Sequence, residues 1–376
     1  MLTIDAVHLR EINMPLAFPF ETSFGVTTIR RILLVEVESD GLTAWGECVA
    51  GEHPYFSEET IDTAWMITET ELVPRLLEKE LVGGGSCPAL FSQVRGHRMA
   101  KAALENAVWD LEAQKKRMPL AELLGGTRSV IPCGVSIGIQ PSQTVLMEKI
   151  AEALEGGYQR IKLKCKPGWD TKVFETVRKR WPEIMLSCDA NSAYRVADID
   201  RIAEWDEFGL LMIEQPLWYD DFYFHSMLQK RIDTAICLDE SIRNRRDALA
   251  AIDMESCRVI NIKVGRVGGF SEAIAVHNAA AERGIPVWCG GMLETGIGRM
   301  HNIALSSLQN FSLPGDVSAS ARYWAEDIIE PEVTVSAQGE IEVPDGIGSG
   351  VRVRRDRIEE LTVRRTTARA EARETA

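Results

Sequence analysis

Ile161-Lys162-Leu163-Lys164, Met185-Leu186-Ser187-Cys188-Asp189, Leu211-Met212-Ile213-Glu214, Ile236-Cys237-Leu238-Asp239 and Val259-Ile260-Asn261-Ile262-Lys263 are five short apolar runs, each closed by a charged residue. Lys164, Asp189, Glu214 and Asp239 succeed one another at intervals of 25 residues, and Lys263 follows 24 later. One strand, one helix and two loops need about that many residues, so the comb predicts repeated right-handed βαβ units in a parallel sheet. Val135-Ser136-Ile137 before the comb and Pro286-Val287-Trp288-Cys289 after it extend the same pattern. Seven or eight units between about 130 and 316 fit a closed barrel better than an open sheet, and the charged ends then lie at its carboxyl-terminal rim.

Alternation along each run assigns the faces. Ile161, Leu163 and Cys165 point one way and Lys162, Lys164 and Lys166 the other; Ile260 and Ile262 oppose Asn261 and Lys263. The apolar set packs against helices, which leaves the lysines and acids inside. Three inward carboxylates repel one another unless a cation sits among them, so Asp189, Glu214 and Asp239 are expected to ligate Mg²⁺ or another hard divalent ion such as Mn²⁺. A carboxylate substrate on that ion has an acidified α-proton, because the cation stabilises the enediolate left behind. Lys164 and Lys263, on the second and sixth strands, are placed to act from its two sides as base, acid or cationic stabiliser. Lys162 is expected one layer deeper as the electrostatic partner of Lys164, and Lys166 at the loop edge. Arg266 and Glu240, which adjoin Lys263 and Asp239, are expected to support these groups. For Arg266, lowering the pKa of Lys263 and a plain loop ion pair are both open.

Around the comb the chain divides into three zones. Residues 1–127 carry a hairpin, Ile32–Val37 turning through Ser39-Asp40-Gly41 into Leu42–Gly46, then helical patterns over about 58–78 and 98–115. Residues 128–316 form the barrel. Residues 317–376 contain Val333-Thr334-Val335 and Glu340–Val343, expected as short strands returning to the first zone, and a polar end from Thr366 expected to fray. With 42 basic against 56 acidic residues the net charge is −14, which argues against nucleic acid as a partner. No run of about 18 apolar residues suits a membrane, and the first residues lack a signal-peptide pattern, so a cytoplasmic protein is expected. The eight cysteines form no Cys-x-x-Cys pair and read as reduced, buried hydrophobes.

At Lys162-x-Lys164, Asp189-Ala190-Asn191, Glu214-Gln215-Pro216, Asp239-Glu240-Ser241 and Asn261-Ile262-Lys263, the chain resembles the enolase superfamily in its muconate-lactonizing subgroup. Gly134–Gly138, Lys166–Asp170 and Trp288–Arg299 are similar to its o-succinylbenzoate synthase/N-succinylamino-acid racemase branch. The resemblance covers nearly the whole chain. It implies an α/β fold: a modified TIM barrel, (β/α)7β, under an α+β capping domain made from both ends of the chain. It implies the same metal ligands and lysines, a small carboxylate substrate and a homo-oligomer. It also places two capping-domain loops, Phe18–Gly25 and Gly51–Phe56, over the barrel mouth, so that Phe20, Phe24 and Tyr55 join Asn191, Gly291 and Met292 as substrate contacts. The activity implied is dehydration of a succinylated hydroxycyclohexadiene carboxylate on the route to menaquinone, with racemisation of N-succinylamino acids as the alternative in the same site.

Three motifs compete with this reading. Gly134-x-Ser136-x-Gly138 matches a hydrolase nucleophile elbow but lies within an apolar strand, so Ser136 is expected to line the pocket instead. Gly265–Gly269 lacks the lysine of a phosphate loop. His301 is expected to be structural, because Lys263 already serves its face.

Overall fold

The computed structural model describes residues 1–77 and 79–371. Its first zone is an antiparallel meander of β1 (Ala6–Glu21), β2 (Val26–Ser39) and β3 (Leu42–Cys48). Asp40 and Gly41 both adopt positive φ, the two-residue turn that matches strand twist and favours these residue types. Both faces of this sheet are covered. Val7, Leu9, Leu33, Val35 and Val37 face the domain's own helices, whereas Ile12, Met14, Ile32 and Leu34 join the barrel core. That double burial explains why Ile32–Val35 reads as a continuous apolar run instead of an alternating one. Helix α1 (Arg98–Lys116) lies so close to β3 that a Cβ on Gly46 would stand 1.8 Å from the Ala103 carbonyl oxygen.

The barrel strands are β4 (Gly134–Ile137), β5 (Arg160–Lys164), β6 (Met185–Asp189), β7 (Met212–Glu214), β8 (Ala235–Leu238), β9 (Val259–Ile262) and β10 (Val287–Cys289). They lie side by side in sequence order, all parallel. The segment 311–316 closes the ring as an eighth stave. Phe311 bridges Val287 and Gly315 bridges Cys133, with Asp316 N–H donating to Cys289 O at 2.8 Å and Gly134 N–H to Gly315 O at 2.7 Å. Outward Ile161, Leu163, Leu186, Cys188, Ile260 and Ile262 pack in the shell beneath the helices, while Met212, Cys237, Val259 and Trp288 form a separate apolar layer. Trp288 lies beneath two inward cations: Lys162 Nζ stands 4.7 Å from its ring and the Arg160 guanidinium 4.8 Å.

The last zone departs from expectation. Val333–Val335 is not a strand, and Glu340–Glu342 pairs with Val130–Pro132 next to β4, not with the first zone, because burying Ile341 against Ile131 favours that position. The return to the capping sheet is made by β11 (Thr362–Arg369), antiparallel to β1. Thr366–Arg369, expected to fray, are in that strand, opposite Leu9 to Ala6. An edge strand is held by its backbone ladder and needs little apolar content, so its polar sequence misled. Ala370, also expected to fray, donates its N–H to Asp5 O at 3.0 Å, and 372–376 lie outside the described residues. All eight cysteines are free and buried, and among the described residues no helix is long and apolar enough to cross a membrane.

Candidate active site

Lys164, Asp189 and Glu214 are direct cross-strand neighbours on β5, β6 and β7. Asp239 stands two residues beyond Cys237, the neighbour of Glu214, and Lys263 four beyond Val259, the neighbour of Cys237. This climb is the register slip of a tilted barrel. The backbone turns sharply behind the acids: Asn191 (φ 42°) and Gln215 (φ 38°) hold left-handed conformations that side chains must stabilise. Gln215 does so by donating to Ser241 Oγ at 2.7 Å and accepting from Asp239 N–H at 3.0 Å, which ties two strand ends together. Gly290 keeps space free for Lys263, since a Cβ there would come within 2.7 Å of Lys263 Cε.

The three acids are 0% exposed and each is engaged by a cation. Lys164 Nζ donates to Asp189 Oδ2 at 2.5 Å and to Asn191 Oδ1 at 2.7 Å, and Asn191 Nδ2 donates to Glu240 Oε1 at 3.1 Å. Lys162 lies deeper, 2.8 Å from Glu214, 3.3 Å from Asp189 and 2.6 Å from Asp316. Lys263 Nζ is 2.7 Å from Asp239 Oδ2, and its other flank meets the Phe56 ring at 4.4 Å. Arg266 is a buried partner of the same Asp239 carboxylate and also donates to Asn261 O at 2.5 Å. Of its two sequence readings, an ion pair is what the structure contains, in the interior and not on a surface loop.

Burial alone would raise Asp189, but Lys164 and Lys162 outweigh it and hold its carboxyl well below the usual range. Glu214 goes the other way: burial, with the negative charges of Asp189 and Asp239, pushes it up to about 7. Glu240 rises to about 8 for the same reasons, and its Oε2 has no partner. Burial opposes the ammonium form of Lys263, yet Asp239 and Glu214 keep it above the ordinary lysine value.

Above these groups lies a cavity of about 380 Å³. Lys162, Lys164 and Lys263 line it, as do all seven expected contacts: Ser136, Asn191, Gly291, Met292, Phe20, Phe24 and Tyr55. Both capping-domain loops reach it, with Phe24 and Tyr55 in edge-to-face contact at 6.5 Å. Pro15 and Pro19 explain the reach of the first loop. Proline lacks an N–H, the ladder between β1 and β2 is interrupted from Pro15 to Phe20, and Ala17 N–H turns to Tyr323 O instead. The tip settles on the barrel through Ile139 N–H to Glu21 O at 3.0 Å and Lys166 to Glu21 at 3.1 Å.

The competing motifs resolve physically. A Cβ on Gly138 would meet Glu21 O at 2.8 Å, and one on Gly134 would meet Arg160 O at 2.8 Å, so both glycines serve close packing while Ser136 faces the cavity. Gly265 and Arg266 belong to a short helix, α2 (Val264–Val267). His301 is buried against Phe270, ring to ring at 5.5 Å, and burial lowers it to about 4.

Sequence reasoning missed Arg160 and Asp316. Asp316 on the closing stave receives Lys162 at 2.6 Å and Arg160 at 2.6 Å, a carboxylate shared by two buried cations. Its signal was present: the comb continued from Lys263 by 27 and then 26 residues passes through Gly290 and reaches Asp316.

Among the described residues no three carboxylate, histidine or cysteine side chains converge closely enough to chelate as they stand, because each acid is drawn onto a lysine or arginine. The donors nevertheless suit a hard divalent ion. They are all oxygen and wholly buried at the ends of three adjacent strands, where burial together with the charges of Asp189 and Asp239 raises Glu214.

Residues 4–125 match the mandelate racemase/muconate lactonizing enzyme N-terminal domain, and residues 145–357 match the enolase C-terminal domain-like family. The chain is 52% identical over 362 residues to the o-succinylbenzoate synthase of Geobacillus kaustophilus, covering 96% of each. It is 44% identical to the N-succinylamino acid racemase of Thermus thermophilus, covering 96% of this chain and 98% of that one. A solved enolase superfamily member from Listeria innocua superposes with a TM-score of 0.95 at 39% identity, covering 99% of this chain and 100% of that one.

Proposed function

Since the chain belongs to the mandelate racemase/muconate lactonizing enzyme family of the enolase superfamily, we propose that it is an o-succinylbenzoate synthase, dehydrating a succinylated hydroxycyclohexadiene carboxylate on the route to menaquinone. The observation that carries this reading is the pair Lys164, at the end of β5, and Lys263, just past β9, on opposite sides of the ring, lining one cavity and each hydrogen-bonded to a buried acid. Lys164 takes the proton α to the substrate carboxylate, and the electron pair of that C–H bond becomes the new ring double bond as the C–OH bond breaks. The same ammonium then returns the proton to the departing hydroxide, which leaves as water. Lys263 stays protonated on the opposite side and balances the negative charge that builds up meanwhile. Asn191 and Asp189 aim the Lys164 amine, and the aromatic loops exclude water from the cavity. A Mg²⁺ or Mn²⁺ ion held by Asp189, Glu214 and Asp239 would supply stabilisation of charge on the substrate carboxylate.

A second reading has its own support. The two lysines are equipped alike, so a substrate whose α-carbon lies between them can lose a proton to one and regain it from the other, which racemises an N-succinylamino acid. Parallel assays of the purified protein with Mg²⁺ on the cyclohexadiene substrate and on N-succinylamino acids decide between them. Dehydration with higher kcat/KM supports the synthase; turnover of neither substrate class overturns both readings.

A further inference from the structure

Arg30 and Arg31 are consecutive residues of β2, and both line the cavity. Arg31 is neutralised, at 2.7 Å from Glu11 and 2.8 Å from Asp62. Lys162, Lys164 and Lys263 each have a carboxylate within 2.8 Å. Arg30 has none within 4 Å, although it is only 7% exposed; it is the one lysine or arginine of the cavity wall without an ion pair among the described residues. Its Nε is enclosed and unpartnered, its Nη2 reaches only the Val49 and Ala50 carbonyls at 3.3 and 3.4 Å, and its Nη1 makes no hydrogen bond. Glu47 and Glu294 act on it from farther away, but Glu47 accepts from Thr295 and Gly298, and Glu294 from Asn302. A guanidinium withdrawn from water without a counter-ion is costly unless an anion arrives to meet it.

We propose that Arg30 is a specificity residue that receives the second, distal carboxylate of a dicarboxylate substrate while the lysine centre handles the first. The planar guanidinium suits a carboxylate, and Nη1, which makes no hydrogen bond and is not enclosed, is the donor left to present to it. This rests on the reading above in one respect, that the distal group is a succinyl carboxylate.

The test is calorimetric binding in Mg²⁺ buffer of N-succinylglycine and of its analogue with the succinyl carboxylate replaced by a carboxamide, to the wild type, Arg30→Met and Arg30→Gln. The wild type is expected to bind the diacid about tenfold or more tighter than the amide. Arg30→Met is expected to lose that preference while keeping amide affinity within about threefold. Arg30→Gln, which retains a donor for the Val49 carbonyl, gives the same reading if the Met variant does not fold. A variant that keeps the wild-type preference, or a wild type that has none, overturns the assignment. Discrimination by Arg30 without turnover of any succinylated substrate refutes the proposed activity and leaves the subsite standing; turnover with discrimination unchanged in the variants does the reverse.

Discussion

Replacing Asp316 with Asn removes one negative charge from below the lysines while conserving side-chain size. The carboxylate is buried and shared between Lys162 and Arg160, each at 2.6 Å. Burial alone would raise it; Lys162 and Arg160 bring it instead from an ordinary 3.8 down to about 2. A depression of that size corresponds to about 2–3 kcal/mol of stability, and stripping one partner from a buried pair costs about 3–5 kcal/mol. Lys162 retains Glu214 at 2.8 Å, but Arg160 is left with the Pro314 carbonyl at 3.0 Å and the Trp288 ring. The expected loss is therefore about 2–4 kcal/mol, read by urea unfolding at pH 7 with circular dichroism. The pH dependence has a definite sign. A carboxyl depressed in the folded state contributes stability that is complete above its unfolded pKa and fades as pH falls through the folded one. The gap between wild type and Asp316→Asn should thus be full at pH 7 and close as pH drops from 3.8 towards 2. Combining Asp316→Asn with Lys162→Met should cost less than the two separate losses added, since each removes the other's reason for being charged. A variant within about 0.5 kcal/mol of wild type at pH 7, or a deficit unchanged at pH 3, would show that the Asp316 charge does not hold Lys162 and Arg160 in place.

Other consequences follow from the same geometry. Lys164→Ala should lower turnover at least about 10³-fold with Mg²⁺ affinity by calorimetry nearly intact; full activity would remove Lys164 from the chemistry. Lys263→Ala should still wash deuterium into one enantiomer of an N-succinylamino acid without inverting it, and equal exchange into both enantiomers would exclude the two-base route. Gly46→Ala should cost more than about 3 kcal/mol, because its methyl would overlap the Ala103 carbonyl, and an unchanged unfolding midpoint would contradict the close packing of α1 on β3. Glu21→Gln breaks a half-exposed ion pair with Lys166 worth at most about 1 kcal/mol. A few-fold rise in KM and a loss of its salt dependence are expected, and an unaltered salt profile would exclude this pair as an anchor of the loop.

The central chemistry was legible because it repeats. A βα unit has a fixed contour length and a strand alternates its faces, so Lys164, Asp189, Glu214, Asp239 and Lys263 reveal both height and inward direction by spacing and parity alone. Tails were legible only where burial imposes an apolar pattern. β11 is held mainly by its ladder on β1, so Thr366–Arg369 looked like solvent-bound chain. The loops were recognisable as aromatic, but their place over the cavity depended on resemblance, since nothing local to Phe24 or Tyr55 says that they meet.

Periodicity within successive strands carries the barrel and its inward acids and lysines. Which charges already have partners depends on contacts between elements far apart in the chain. Asp316 meets Lys162 across more than 150 residues of chain, and Arg31 finds Glu11 and Asp62 while Arg30, its neighbour, finds no acid. Two adjacent arginines read alike in sequence. Their opposite faces meet different surroundings once the sheet lies on the barrel, because pairing depends on distance in space, and a strand's alternation sends its consecutive side chains to different sides.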